Sequence, residues 1–127
     1  MKPHSVKRKL LIVDDDEATR ILVHEILESG ILNIIEACNG KEGLHLFKKH
    51  SRKLVLVFLD IKLPDCKGWD LIKQLRIENS KIPIVALSAT NPLELKENYM
   101  KAGFDYYLSK PFDILELERI VEFYLKH

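Results

Sequence analysis

Long hydrophobic runs are absent from this chain of 127 residues. Its longest strictly apolar run comprises only the six residues 54–59, whereas a membrane-spanning helix needs about 20. The first apolar run, residues 10–13, is followed at once by three aspartates, so it is too short for the core of a secretory signal peptide. We therefore expect neither a membrane span nor a signal peptide, and we take the cytoplasm as the expected location.

Cysteine pairs and an excess of charge of one sign are lacking as well. The two cysteines, Cys38 and Cys66, lie far apart without CxxC spacing, and the five histidines are scattered without metal-ligand spacing. This pattern fits reduced thiols. The formal net charge is only +1, so we expect no contact of this domain with nucleic acid or a membrane surface. Residues 1–8 are predicted to be a basic, solvated tail, and residues 9–127 a single domain.

Four short apolar runs, each ending in a polar residue, are the main feature of what is present. Residues 10–13 lead into Asp14, residues 54–59 into Asp60, residues 84–87 into Ser88, and residues 106–109 into Lys110. Apolar runs of this length are typical of parallel strands that are buried on both faces. Because ligands bind outside the carboxyl ends of such strands, we expect the polar side chains to meet at one rim of the sheet.

Helical patterns alternate with these strands. The first predicted helix carries an apolar stripe and ends near Gly30, residues 33–38 form a short second strand, and the second helix contains Gly43. A glycine inside a helix costs about 1 kcal/mol relative to alanine, so we expect the second helix to be frayed. The stripes are Ala18, Ile21, Leu22, Ile26 and Leu27 in the first helix, and Leu117, Ile120, Val121 and Tyr124 in the last. Five βα units with short connections predict a single, doubly wound α/β domain with helices on both faces of a parallel sheet.

Four motifs, taken together, resemble the receiver domain of two-component response regulators. They are Leu-Ile-Val-Asp-Asp-Asp, Leu-Asp-Ile-Lys-Leu-Pro-Asp, Ala-Leu-Ser-Ala and Tyr-Leu-Ser-Lys-Pro-Phe, in this order, and the resemblance runs from about residue 9 to residue 125. It implies a flavodoxin-like fold with strand order 2-1-3-4-5. It also implies a phosphoacceptor signalling domain rather than an enzyme. A further implication is a cis Lys110–Pro111 bond, since cis bonds are essentially confined to X–Pro.

The resemblance assigns the acidic residues to a phosphorylation site. Asp60 would accept a phosphoryl group from a phosphohistidine of a partner, either a sensor histidine kinase or a histidine phosphotransfer protein. Asp14, Asp15, Asp60 and the backbone carbonyl of Lys62 would hold Mg²⁺. The chemistry agrees, because Mg²⁺ prefers oxygen ligands and few carboxylates, and because crowded carboxylates repel one another without a cation.

Other residues would bind the phosphoryl group or respond to it. By resemblance, Ser88 and Lys110 would bind its oxygens, and Ser88 together with Tyr107 would form a conformational switch. Lys62 and Thr90, each two residues beyond a pocket residue, would tune dephosphorylation.

The switch is expected to act on the face formed by the fourth helix, the fifth strand and the fifth helix. Tyr107 belongs to that strand, and Tyr99, Phe123 and Leu125 flank it as apolar residues that a single helical stripe cannot all bury. The expected occupant is an output protein or a second copy of the chain in a homodimer.

Several alternatives stay open at this stage. Asp15 or Asp16 would also suit as the cap of the first helix. A phosphatase of the haloacid-dehalogenase type also uses an aspartate nucleophile with Mg²⁺, but its Asp-x-Asp-x-Thr or Val signature would place Ala18 at the last position. The third possibility is a receiver-like binding module that takes no phosphate. The output, the partner kinase and whether the domain stands alone are not encoded in these motifs.

Overall fold

Strands and helices alternate strictly in the computed structural model, which describes residues 8–28, 32–89 and 96–126. The elements are β1 (Arg8–Val13), α1 (Glu17–Leu27), β2 (Leu32–Ala37), α2 (Gly40–His50), β3 (Leu54–Asp60), α3 (Gly68–Glu78), β4 (Ile84–Ser88), α4 (Lys96–Ala102), β5 (Tyr106–Ser109) and α5 (Ile114–Lys126). The predicted succession of five βα units is confirmed.

The five strands form one parallel sheet in the order β2-β1-β3-β4-β5. One core cluster includes Phe47 and Ile72 from α2 and α3, and a second cluster includes Val23 and Leu117 from α1 and α5. Helices therefore cover both faces, which is why the central strands are continuously apolar. The strand order reverses between β1 and β3, so a ligand site is expected at the carboxyl ends of these two strands.

Helix α1 differs from its sequence prediction in extent and rotation. It ends at Leu27, and its buried residues are Thr19, Val23 and Leu27, whereas Ala18 and Ile21 are exposed. The cap and the short connection to β1 fix the rotation of the helix, and two of the predicted stripe residues consequently face solvent. Strand β2 begins and ends one residue earlier than predicted.

Helix α2 is not frayed, so the expectation drawn from Gly43 is wrong. The helix runs without interruption from Gly40 to His50, and Gly43 is buried within it. A Cβ atom at Gly43 would lie 2.9 Å from both Cγ atoms of Val13 in β1. The glycine therefore lets the helix pack directly on the sheet, and this packing offsets its low helix propensity.

Further expectations from the sequence concern α5, the Lys110–Pro111 bond, the N-terminal tail and membrane-spanning helices. Helix α5 buries Leu117, Ile120 and Val121 as predicted, and the Lys110–Pro111 bond is cis. Strand β1 already begins at Arg8, and residues 1–7 of the predicted tail lie outside the described residues. Within the described residues, no helix combines the length and apolar character needed to cross a membrane.

Candidate functional site

The polar residues predicted to meet do lie at one rim of the sheet. Asp14 follows β1, Asp60 ends β3, Ser88 ends β4, and Lys110 follows β5. A cleft of about 270 Å³ opens among them, and it is lined by Asp15, Asp60, Ile61, Lys62, Ser88, Ala89 and Lys110. The position next to the reversal of strand order is where a sheet of this kind binds ligands.

Three carboxylates form the acidic part of this cleft. Asp14, Asp15 and Asp60 each offer one oxygen, and these oxygens all lie within 4.8 Å of one another. Asp14 is fully buried, Asp60 is almost fully buried, and Asp15 is exposed. The Asp14 backbone is held by its N–H, which donates to Ala37 O at 3.0 Å, and by Arg20 Nη1, which donates to its carbonyl at 2.7 Å.

Lys110 neutralises only part of this negative charge. Its Nζ lies 2.7 Å from Asp14 Oδ2 and 3.1 Å from Asp60 Oδ2. Burial raises the pKa of Asp14, whereas burial alone would lower the pKa of Lys110; the hydrogen bonds and charges of Asp14 and Asp60 raise the pKa of Lys110 instead. One ammonium facing three carboxylates leaves an excess of negative charge, so the donor set fits a divalent cation bound by oxygen.

Asp15 and Asp16, the two residues that could cap α1, make different contacts. Asp16 is the N-cap, since its Oδ1 accepts from Ala18 N at 3.1 Å and its Oδ2 accepts from Thr19 Oγ1 at 2.9 Å. These two hydrogen bonds lower the pKa of Asp16, the bond from Thr19 having the larger effect. The helix is therefore capped without Asp15, whose side chain lines the cleft.

The connection after β3 holds Asp60 from the backbone side. Lys62 N donates to Asp60 Oδ1 at 3.0 Å, and Gly68 N donates to Ile61 O at 2.7 Å. A Cβ atom at Gly68 would lie 2.8 Å from both Asp60 O and Ile61 Cα. Gly68 thus permits α3 to begin directly against the phosphoacceptor candidate. This contact of Gly68 has no signal in the local sequence pattern, because it depends on how α3 packs against the end of β3.

Ser88 and Tyr107 lie on neighbouring strands. Ser88 is buried at the end of β4, and its carbonyl accepts from Lys110 N at 2.9 Å. The Tyr107 ring is half-buried in β5 and stacks on Tyr99 and on Tyr106, with both centroid separations at 5.5 Å.

Tyr99 and Thr90 are two further residues that the sequence assigns to this region. The sequence assigns Tyr99 both to the apolar stripe of the fourth helix and to the output face beside Tyr107. The residue is only 1% exposed, which agrees with the stripe and removes it from the exposed face. It stacks on Trp69 at 4.8 Å, so α4 turns this residue into the core instead of the surface. Thr90 lies outside the described residues.

Comparisons with known proteins match this geometry. The family model described as "Response regulator receiver domain" matches residues 10–122. Sporulation initiation phosphotransferase F of Bacillus subtilis is 31% identical over 120 residues, which is 94% of this chain and 95% of that protein. A crystal structure of a two-component response regulator from Clostridium difficile superposes with a TM-score of 0.83 at 32% identity, and the match covers 95% of this chain and 98% of that chain.

Other relatives are longer than this chain. The transcriptional regulatory protein CusR of Escherichia coli is 39% identical over 110 residues, which is 86% of this chain but only 47% of that protein. The chain thus spans about half the length of the curated transcriptional regulators that it matches.

Proposed function

This chain belongs to the response regulator receiver domain family, and on that premise we propose that Asp60 is its phosphoacceptor. The supporting observation is the convergence of Asp60 with Asp14, Asp15 and Lys110 at one cleft. A haloacid-dehalogenase phosphatase is not favoured, because alanine stands at the last signature position and because Asp60 would have no role. A module without phosphorylation is not favoured either, since each acid and the lysine are present.

Phosphoryl transfer assigns a task to each side chain. A carboxylate oxygen of Asp60 attacks the phosphorus of a partner phosphohistidine, the new O–P bond forms, and the P–N bond to the imidazole breaks. Lys110 offsets the negative charge of the phosphoryl oxygens, and the hydroxyl of Ser88 donates a hydrogen bond to one of them. Lysine suits this task as a compact charge with three donors.

Mg²⁺ is the metal that we assign to the acidic cluster. Asp14, Asp15, Asp60 and the backbone carbonyl of Lys62 would hold it, since hard oxygen ligands and few carboxylates suit this ion. When bound, it supplies positive charge that stabilises the phosphoryl oxygens during transfer.

Lys62 and Thr90 are proposed to set the lifetime of the phosphorylated form. The Lys62 side chain is exposed at the cleft. An ammonium group has no acceptor, so it cannot orient an attacking water as a base. We therefore expect Lys62 to favour a long-lived phosphoryl group; the matching role of Thr90 is inferred from the family resemblance alone.

The proposed partners follow from family membership. Receiver domains work with histidine kinases or phosphotransfer proteins, and we assign a cytoplasmic partner of this class to this chain. Phosphorylation would act through Ser88 and Tyr107 on the face formed by α4, β5 and α5, where an output protein or a second copy binds. As a signalling domain, the chain is proposed to catalyse no reaction beyond its own phosphorylation from small donors and its slow dephosphorylation.

Labelling with a small phosphodonor tests the assignment of Asp60. Asp60→Asn should abolish labelling by acetyl phosphate with Mg²⁺, measured by intact-protein mass spectrometry, because the amide is not a carboxylate nucleophile. Asp70→Asn, which alters an exposed acid in α3, is the matched control and should label like the parent. Circular dichroism checks the fold of both variants. Labelling of Asp60→Asn at the parent rate would show that the acceptor is another residue.

A further inference from the structure

Asp65 connects two elements that are distant in sequence. Its Oδ1 accepts from Gly40 N at 2.7 Å and its Oδ2 accepts from Lys41 N at 2.9 Å, across a separation of 25 and 24 residues. Both acceptors belong to the connection between β3 and α3, and both donors belong to the first turn of α2. These hydrogen bonds, led by the one from Gly40, lower the pKa of Asp65, so it is a carboxylate at neutral pH.

Helix α2 already has a cap of its own. Asn39, the N-cap, accepts through Oδ1 from Glu42 N at 2.8 Å, and Glu42 Oε1 accepts from Cys38 N at 2.8 Å. This pair of bonds resembles a capping box, with Glu42 reaching the residue before the N-cap. This box leaves the amides of Gly40 and Lys41 unpaired, and Asp65 takes both. The helix end therefore serves as an anchor for a segment that arrives from elsewhere in the chain.

The anchored segment is the turn that follows Asp60. Residues 61–68 fold back on themselves, because Leu63 N donates to Cys66 O at 3.2 Å and Gly68 N donates to Ile61 O at 2.7 Å. Within this turn, Lys62 N donates to Asp60 Oδ1 at 3.0 Å. Asp65 lies at its far end, three residues after Lys62, and carries the two hydrogen bonds to α2.

Gly40, the first residue of α2, leaves space for the turn after β3 to lie against the helix. A methyl group on Gly40 would overlap Cys66 Sγ and would lie 3.2 Å from Asp65 Oδ1. A glycine at this position thus leaves room for the turn to lie against the helix end. Charge favours the same contact, because a carboxylate is stabilised by the positive end of the helix dipole.

We propose that Asp65 is a positioning residue for phosphorylation: it clamps the turn after β3 onto the N-terminus of α2 and thereby fixes the Lys62 backbone beside Asp60. The proposal rests on the proposed function of Asp60. The turn carries both the amide that holds the Asp60 carboxylate and the carbonyl assigned to Mg²⁺. Release of its far end would let both groups drift from their positions, and groups that orient a metal ligand are typically worth tenfold or more in affinity.

The test compares a variant that removes the hydrogen bonds of Asp65 with a control variant that removes a different cap from α2. Asp65→Ala should slow labelling of Asp60 by acetyl phosphate and weaken Mg²⁺ binding, each by about tenfold. The Mg²⁺ affinity is measured in the absence of phosphate from the chemical shift of the Lys62 amide. Hydrogen exchange at the Gly40 and Lys41 amides should accelerate in the same variant. Asp65→Asn keeps one acceptor oxygen and should recover part of both losses.

Asn39→Ala is the control, because it removes a cap from the same helix end without touching the turn. It should accelerate exchange at the Glu42 amide and leave labelling near the parent rate. The proposal is overturned if Asp65→Ala labels and binds Mg²⁺ like the parent, or if Asn39→Ala slows labelling equally, since helix stability alone would then account for the effect. If the parent protein itself takes no label at Asp60, the proposed function fails and this inference fails with it, which distinguishes the two outcomes.

Discussion

The two aspartates that follow Asp14 have separate tasks although they are adjacent. Asp16 satisfies the first turn of α1 through Ala18 N and Thr19 Oγ1. Asp15 lines the cleft with an exposed carboxylate whose oxygen lies within 4.8 Å of oxygens from Asp14 and Asp60. Because the cap is already supplied by Asp16, the contribution of Asp15 is to the negative charge of the site.

Replacement of Asp15 should therefore affect metal binding rather than folding. Asp15→Ala is expected to weaken Mg²⁺ binding by about tenfold or more, since even residues that only orient a metal ligand are worth that much. Labelling of Asp60 should slow in parallel, while the midpoint of thermal unfolding stays close to the parent value. Mg²⁺ titration followed by amide chemical shifts measures the affinity.

Asp16→Ala provides the comparison for that variant. It should lower the thermal midpoint, because two groups of α1 lose their acceptor, and it should change Mg²⁺ affinity far less. Unchanged Mg²⁺ affinity in Asp15→Ala would remove Asp15 from the proposed ligand set.

Among the elements, α2 approaches the sheet closely at a position that carries no side chain, Gly43. Gly43 faces the Val13 side chain at the end of β1, next to Asp14, and a Cβ atom there would lie 2.9 Å from both Cγ atoms of Val13. Val13 is fully buried and β-branched, so rotation about its χ1 bond is restricted. The distance between α2 and β1 is thus set by the absence of a side chain at this position.

Alanine at position 43 should destabilise the protein although alanine is the better helix former. Overpacking of a core typically costs 1–3 kcal/mol, whereas the gain in helix propensity is about 1 kcal/mol. For Gly43→Ala we expect a net loss of about 1 kcal/mol in the free energy of unfolding, measured by urea denaturation. Lys49→Ala on the exposed side of α2 should stay within about 0.5 kcal/mol of the parent. A Gly43→Ala variant as stable as the parent would mean that α2 has room to move away from β1.

At the scale of the whole molecule, the face of α4, β5 and α5 carries exposed apolar side chains. Leu115 is 61% exposed and Phe123 is 54% exposed, and together with Tyr106 they line a groove of about 620 Å³ beside α5. Strand β5 is an edge of the sheet. Exposed apolar surface of this kind marks interaction sites, and it supports the proposed output face independently of Tyr99, which is buried.

A phosphate mimic should change this face as well as the cleft. Addition of beryllofluoride with Mg²⁺ is expected to shift the amide resonances of Tyr106 and Tyr107 and of the first half of α5, because an altered position of the Ser88 hydroxyl changes the packing of the adjacent strand. Asp60→Asn, which cannot form the mimic complex, should show none of these shifts. Perturbation limited to residues around Asp60 would refute a propagated switch on this face.

The sequence by itself was sufficient for the succession of strands and for the rim where the polar residues meet, whereas the strand order was implied by the family resemblance. Runs that end in Asp14, Asp60, Ser88 and Lys110 are local patterns, and a parallel sheet brings the carboxyl ends of its strands together whatever the details of packing. The stripe of α5 was predictable for the same reason, since periodicity is a property of neighbouring residues.

Only the tertiary structure decided the features that depend on distances between separate elements. The stacking of Tyr99 on Trp69, the close packing of Gly43 on Val13 and the hydrogen bond from Gly40 to Asp65 each join residues that are far apart in sequence. Which of two adjacent aspartates caps α1 depends likewise on the path of the chain between β1 and the helix. Such contacts are set by how closely packed elements approach one another, and that separation is a property of the assembled core rather than of any local pattern.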